Sequence, residues 1–450
     1  MSEELETFIG SKEEFWLTAL LRETKNKILV PHVIEQCNGM KPVSFANADI
    51  LFQGFLTLRS MRLRFENPVL PPPEMKHIFY HEIFRTWLFG YVAEEGLKAV
   101  PSIYEETFLC LLEFLEPERM AFHERAIANC LKFKNDATSL TAVLAEHFFS
   151  QLTPDHSYFM DENIPKKPDK LQCPCNLDEC KQRLNFGNTA IGSSVVWHGC
   201  PDIFIDQRVP VTVITETKDN TVEDDTELYG SFAEPAAKKT KKRSNEEEQS
   251  SPGSDNSFVA PVAKKLKIGS DGANPCTSRS VGMCIAMENN KSSDILFRSN
   301  IIDQIMASAM TNAFAQVNSN SHLKGLMIPS FACTQDYILV FLYDPENDIL
   351  LQTNVFKLFE GPGRLSISAI VQVWMFLNFV ELLKPDLANE YEFEPSRFHN
   401  SVMGYLSHYK NATYGEKLGP SESNYIGEVV MPIMFSACNH IPARNRASSS

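Results

Sequence analysis

The stretch "PDIFIDQRVPVTVITETK", residues 201–218, holds Asp202, Glu216 and Lys218 around a run of alternating β-branched residues. Two carboxylates whose oxygens converge on one point can hold a Mg2+ ion and leave several of its water positions free. Such an ion lowers the pKa of a bound water and neutralises charge at a scissile phosphate. A lysine beside it positions or helps to deprotonate that water and stabilises the negative charge that develops. The chemistry these residue types point to is phosphodiester hydrolysis. Glu216 and Lys218 stand two apart, so on a strand both project from one face. A hairpin turning around Val209–Pro210 would set Asp202 opposite Glu216, with Cβ atoms within about 5.5 Å. A plainer reading stays open, because Glu-x-Lys on an exposed strand face is also a common cross-strand charge pattern.

Spacing alone does not single out this copy. Pro168-Asp169 followed by Glu179-Cys180-Lys181 repeats it, and Glu23-Thr24-Lys25 repeats its second half. Only the 201–218 copy has strand periodicity on both sides, with Val211, Val213 and Ile214 leading into the acid. The elements around it read as a helix at 177–185 and strands at 193–199, 201–206 and 211–218. Beyond them "SNIIDQIMASAMTNAFAQV" (299–317) carries one continuous helical stripe of apolar residues. Strands follow at 325–331, 337–343 and 349–353, with a turn at 344–348. "GPG" (361–363) breaks the chain before an apolar helix at 366–384.

The Pro-Asp…Glu-x-Lys pattern, on the second and third strands after a helix, resembles the PD-(D/E)XK nuclease superfamily. The resemblance covers roughly 177–218 and 281–353. It implies a restriction-endonuclease-like αβββαβ core in an α/β protein, with Asp202 and Glu216 as metal ligands and Lys218 as the catalytic lysine. It implies Mg2+, or alternatively Mn2+, as cofactor and DNA as substrate. Some subfamilies place a glutamine on the second core helix, where Gln304 falls; the tyrosine that recombination-type members carry four residues later is Ser308 here. A further acid on the first core helix is common in the superfamily, and Glu179 and Glu146 are the candidates.

Residues 1–158 read as a helical domain, with apolar spacing of three and four at 11–23, 75–97, 102–115 and 139–152. "NPVLPPPEM" (67–75) is a rigid break, since three consecutive prolines cannot continue a helix. Residues 159–218 begin the nuclease-like domain and 281–440 complete it, ahead of a flexible tail at 441–450. Between the halves, 219–280 is rich in charge, Ser, Gly and Pro and has too little apolar surface to order itself, which predicts a disordered insertion. Its clusters Lys238–Arg243 and Lys264–Lys267 suit capture by a nuclear-import receptor, which implies a nuclear protein. The same runs also fit a solvated loop with affinity for polyanions.

The chain has 450 residues, 43% of them apolar, enough for two or three domains. Its net charge of −15 sits badly with a protein that coats itself in nucleic acid. A small cleft working through bound metal stays compatible with it, and the acidity favours a protein partner for the helical domain. The acidic start MSEELETFIG argues against export, so the eleven cysteines are expected as reduced thiols. The most apolar stretch, 368–383, carries Gln372, Asn378 and Glu381 and is too short to span a membrane. Cys173, Cys175 and Cys180, with Cys200 beside the acid, could bind zinc or an iron–sulfur cluster, but Cys-x-Cys-x4-Cys departs from the usual zinc-finger spacings. Buried or free thiols are the expectation. His198 could reach the acid site, though a lone histidine at a strand end is more often structural, and Trp197 and Trp374 are expected in the core. No Gly-x-Ser-x-Gly or His-Glu-x-x-His occurs, and "GPGR" lacks the ending of a phosphate loop. Against the nuclease stand two other classes: a catalytically inactive nuclear interaction module on the same fold, and a cysteine–metal scaffold.

Overall fold

Three consecutive strands form the centre: β7 (Ile328–Cys333), β8 (Tyr337–Asp344) and β9 (Ile349–Thr353) in the numbering below. Each is buried along its whole length. Uninterrupted apolar runs such as "YILVFLYD" belong to strands covered on both faces, where alternation with polar residues would be costly. The computed structural model describes residues 20, 22–25, 27–53, 78–96, 100–133, 136–163, 172–215, 295–296 and 298–415. The chain divides into one unit of Met1–Glu216 with Asn290–Ser450 and another of Thr217–Asn289. All the described residues lie in the first, so the predicted disordered insertion and its basic clusters fall outside them.

The other strands of the main sheet are β1 (Ile28–Pro31), β2 (Ile78–Phe79), β3 (Tyr158–Asp161), β4 (Phe186–Gly187), β5 (Ile203–Ile205) and β6 (Val209–Val213). The order across the sheet is β2-β1-β9-β8-β7-β6-β5-β3-β4, with Phe356–Lys357 added beside β8. Strands β3, β5 and β6 form an antiparallel series, and β6 runs parallel to β7 with Val211 beside Phe331 and Val213 beside Cys333. A parallel pair needs a crossover, and here the helix preceding β7 packs on it. The helices of eight residues or more are α1 (Thr86–Glu95), α2 (Ser102–Leu115), α3 (Pro117–Phe133), α4 (Ala137–Leu144), α5 (Ser299–Ser319) and α6 (Ile367–Leu377). Helix α5 is that crossover; its 21 residues are buried almost all round from Ile302 to Val317, and it packs on β7 and β8. Trp197 and Trp374 are fully buried. The indole N–H of Trp374 on α6 donates to the Thr107 carbonyl of α2 at 2.7 Å.

Mixed helices and sheet give an α/β class, and the strongest periodic segments form the elements their spacing predicts, at 102–115, 299–319 and 367–377. Elsewhere the structure corrects the sequence reading. The all-helical reading of 1–158 fails at 28–53, which holds three strands and no α-helix; β1 pairs with β9 in the main sheet, and Val33–Cys37 pairs with Ile50–Gln53. The helix expected over 75–97 is broken in its described part: one turn at Tyr80–Ile83 ends at Phe84, which is extended and bridges Leu383. The helix expected at 177–185 is absent; those residues form turns closed by a bridge between Gln172 and Arg183. Of the strand expected at 193–199 only His198–Gly199 is extended, pairing with Ile191–Gly192. Among the described residues no helix is long and apolar enough to cross a membrane.

Candidate metal centre

Helix α4 is capped by Asp136, whose carboxylate accepts the Ser139 N–H at 2.9 Å and so satisfies one of the free donors of the first turn. The helix runs on as a π turn, Ala145–Phe149, and a 3-10 turn, Ser150–Leu152. π turns are uncommon and are found often at functional sites. This one presents Glu146 and His147, adjacent residues that aim in different directions around the helix. Glu146 accepts the hydroxyl of Tyr158 on β3 at 2.8 Å, and His147 turns to the cysteine loop.

The loop over 172–183 has no regular secondary structure, but its backbone is closed by two hydrogen bonds. Cys173 N donates to Gln182 O and Cys180 N to Leu177 O, both at 3.0 Å, while Asn176 adopts a left-handed φ of 57°. This path brings three thiols to His147, with Nε2 at 3.3 Å from Cys173 Sγ and 3.5 Å from Cys180 Sγ. Including Cys175, which is fully buried, the four donor atoms all lie within 4.8 Å of one another. Among the described residues no other His, Cys, Asp and Glu side chains converge this way. The spacing argument against a cysteine site missed the fourth donor, because His147 lies on a helix 26 residues before Cys173. The available signal was three cysteines in a polar, proline-bearing segment with little apolar surface to fold it.

Behind His147, its Nδ1 meets Nδ1 of His123, on α3, at 3.1 Å. His123 stacks on Phe114 with ring centres 5.3 Å apart, and burial, then the neighbouring His147, pushes its pKa down to about 3. It is therefore neutral and can accept from His147 Nδ1–H, which leaves Nε2 of His147 facing the thiols, where an ion would displace its proton. Hydrogen bonding with Cys173 holds the Cys175 thiol down, and the thiols raise His147 to about 9 against the opposing effect of burial.

The predicted acid site has a different standing. Asp202 stands at the head of β5, and its carboxylate accepts the Val213 N–H at 2.7 Å. The hairpin does not turn at Val209–Pro210 as expected. It turns through Asp206–Arg208, where Asp206 and Gln207 have φ of 48° and 54° and Arg208 pairs with Asp206. Aspartate tolerates that backbone region better than most residues, and Pro210 sits inside β6 one residue before pairing with β7 starts. Val211 therefore pairs with Ile203, which puts Asp202 level with Thr212 rather than opposite Glu216. Glu216 and Lys218 follow the end of β6 and lie outside the described residues.

Burial, with smaller repulsion from Asp161, pushes the Asp202 pKa up to about 6. Asp161, at the end of β3, was not singled out in the sequence; its N–H donates to the Asp202 carbonyl at 3.0 Å. Cys200 nearby is raised to about 11, first by burial and then by Asp161, with Asp202 and Glu162 adding. Of the two further acids considered, Glu146 is on the helix packed against β3 and β5 and is raised by burial, whereas Glu179 is exposed in the cysteine loop. His198 is buried, with Nδ1 on the Val196 carbonyl at 2.8 Å. Gln304 is half-buried in the second turn of α5. Later on that helix, Asn312 and Gln316 donate to the carbonyls of Arg208 and Gln207 at the start of β6. Gln304 is eight residues earlier than Asn312, about 12 Å back along the helix, or about four strand residues. It thus lies towards the end of β6 from which Glu216 and Lys218 follow. Comparison with family models, curated proteins and solved structures finds no match to this chain.

Proposed function

We propose that the protein is a Mg2+-dependent nuclease of the PD-(D/E)XK type that hydrolyses phosphodiester bonds in DNA. The observation that carries this reading is the strand series β3-β5-β6-β7, antiparallel twice and then parallel, with α5 as the crossover. With β4 and the short strands Ile191–Gly192 and His198–Gly199 taken as an insertion between β3 and β5, this series is compatible with the helix–three strands–helix–strand order that the Asp202…Glu216-x-Lys218 pattern implies. The first core helix is then α4 with its continuation and the first strand β3, a different pair from 177–185 and 193–199. That choice favours Glu146 over Glu179 as the extra acid.

Of the two proposed ligands only Asp202 lies among the described residues, and its surroundings are compatible with a hard divalent cation. One oxygen of Asp202 is taken by Val213 N–H, and the other belongs to a carboxylate whose ionised form burial disfavours. A cation beside it would restore the ionised form. Asp202 and Glu216 would hold the ion, which supplies charge neutralisation at the phosphate and a more acidic water. Lys218 would supply an ammonium to the attacking water and to the negative charge developing on the phosphoryl oxygens. Gln304, from α5, orients that water or the phosphate by hydrogen bonding.

The test is cleavage of a labelled plasmid and a single-stranded oligonucleotide with Mg2+ or Mn2+ by wild type, Glu216→Ala and Lys218→Ala. Loss of cleavage in both variants, with their circular dichroism unchanged, supports the reading. Wild-type cleavage that survives both substitutions removes it. A net charge of −15 favours a second reading, a non-catalytic nuclear module on the same fold that binds a protein partner. Absence of cleavage with either metal, on either substrate, moves the balance to that module. On both readings Lys238–Arg243 and Lys264–Lys267 direct the chain to the nucleus.

A further inference from the structure

We propose that His147, Cys173, Cys175 and Cys180 bind one Zn2+ ion in a closed tetrahedral site that fastens the 172–183 loop to the end of α4. The site is separate from the acid site and does not depend on the nuclease reading. Zinc takes Cys at about 2.3 Å and His at about 2.0 Å, so the S···N edge of its tetrahedron is about 3.5 Å. The two S···N distances here are 3.3 and 3.5 Å, and no two of the four donor atoms are further apart than 4.8 Å. An iron–sulfur cluster interposes several iron and sulfide atoms between its ligands and needs donors spread more widely. Soft thiolates with one imidazole select zinc over Mg2+ or Ca2+, which take oxygen. Four protein donors, with His147 and Cys175 fully enclosed, leave no open position, which is the mark of a structural ion rather than a catalytic one.

The surroundings complete the case. A metal-bound histidine nearly always donates its other ring N–H to a second group, and His123 is placed to accept it at 3.1 Å. The loop also lacks another way to stay folded: between Gln172 and Arg183 the only large aliphatic side chain is Leu177, and it is only partly buried. Zinc binding replaces the missing core there, since the free energy of ligation becomes folding free energy. Its mechanical effect reaches the sheet, because the loop leads directly into β4, which pairs with β3. The same ion fixes the π turn that carries Glu146.

The experiment is elemental analysis of the full-length protein, purified without added metal, followed by exchange of the bound ion for Co2+. One zinc per chain, and an intense thiolate-to-cobalt charge-transfer band with tetrahedral d–d absorption, are expected. Cys180→Ser should lose the zinc, His147→Cys should keep it with four thiolates, and Cys200→Ser, outside the cluster, should match wild type. Iron in place of zinc, zinc retained in full by Cys180→Ser, or no charge-transfer band when wild type stripped of its metal by a chelator is titrated with Co2+ would overturn the proposal. The cobalt titration uses only wild type, so it decides the matter even where Cys180→Ser does not fold.

Discussion

His123 and His147 meet Nδ1 to Nδ1 at 3.1 Å, a pairing that works only if one ring donates and the other accepts. Burial settles which, because His123, its pKa pushed down to about 3, is neutral and has a lone pair to offer. His147 is then the donor, and its second nitrogen is held facing the thiols, oriented to ligate a metal that displaces its proton. Replacing His123 with Phe keeps much of the volume beside Phe114 and removes the acceptor. The zinc affinity of His123→Phe is expected to fall by about 10–100-fold, the usual effect of losing such a partner. Competition with a chromophoric chelator measures it, and the stoichiometry at saturating zinc should stay at one. An unchanged affinity would show that the imidazole pair does not orient the ligand.

Asp202 is raised from its ordinary 3.8 to about 6, chiefly by burial. The folded state therefore holds a proton that the unfolded chain releases, and stability falls as pH rises between those two values. Above pH 6 the ionised carboxylate costs up to about 3 kcal/mol. Asp202→Asn keeps an oxygen for the Val213 N–H and removes the charge. It is expected to melt higher than wild type at pH 8 and to lose that advantage below pH 4. If the nuclease reading holds, Mg2+ should raise the melting temperature of wild type and leave Asp202→Asn unmoved, since ligands stabilise only the state that binds them. On the nuclease reading, wild-type cleavage declines as pH falls through 6. A variant that gains stability while losing cleavage is the expected signature of a carboxylate kept for function. Equal Mg2+ shifts in the two proteins would separate Asp202 from the ion.

Glu146 and Tyr158 join the helix end to β3 through one buried hydrogen bond of 2.8 Å. Tyr158→Phe leaves the carboxylate without that donor, which costs about 1–3 kcal/mol. Glu146→Gln keeps an acceptor for the tyrosine and removes a charge that burial disfavours, so it is expected to be neutral or stabilising. Urea denaturation of the two single variants and the double variant measures the coupling. A coupling near zero would mean the hydroxyl finds another partner.

What the sequence could reveal depended on how locally each feature is encoded. Helix α5 and strand β8 announce themselves, because a long apolar stripe or an unbroken apolar run needs no knowledge of its neighbours. β1 is four residues long and is a strand only because β9 and β2 lie beside it. The cysteine loop carried enough helical spacing at 177–185 to mislead, and what overrides that spacing is the convergence of its thiols on a residue of α4. His147 enters the site through tertiary structure alone, as does Asp161 beside Asp202. The hairpin was misplaced because Pro210 looked like a turn residue, whereas left-handed Asp206 and Gln207 make the turn. The place of Asp202 at the head of a strand was legible, since a Pro-Asp at the entry to an alternating run is a local signal.

Asp303, next to Gln304 on α5, separates burial from metal binding. Its pKa is pushed up to about 7, mainly by burial, with the Ile50 N–H opposing and Asp49 adding. One of its oxygens, Oδ1, has no hydrogen-bond partner among the described residues. As with Asp202, the folded-state value lies above the unfolded one, so the penalty appears as pH rises through about 4 to 7 and is complete above it. Asp303→Asn is therefore expected to melt higher than wild type at pH 8 and to match it near pH 4. Unlike Asp202→Asn, it should keep the full Mg2+-induced rise in melting temperature. If Asp303→Asn also abolished that rise, the ion would sit nearer α5 than the head of β5, and the acid site would have to be redrawn around Asp303.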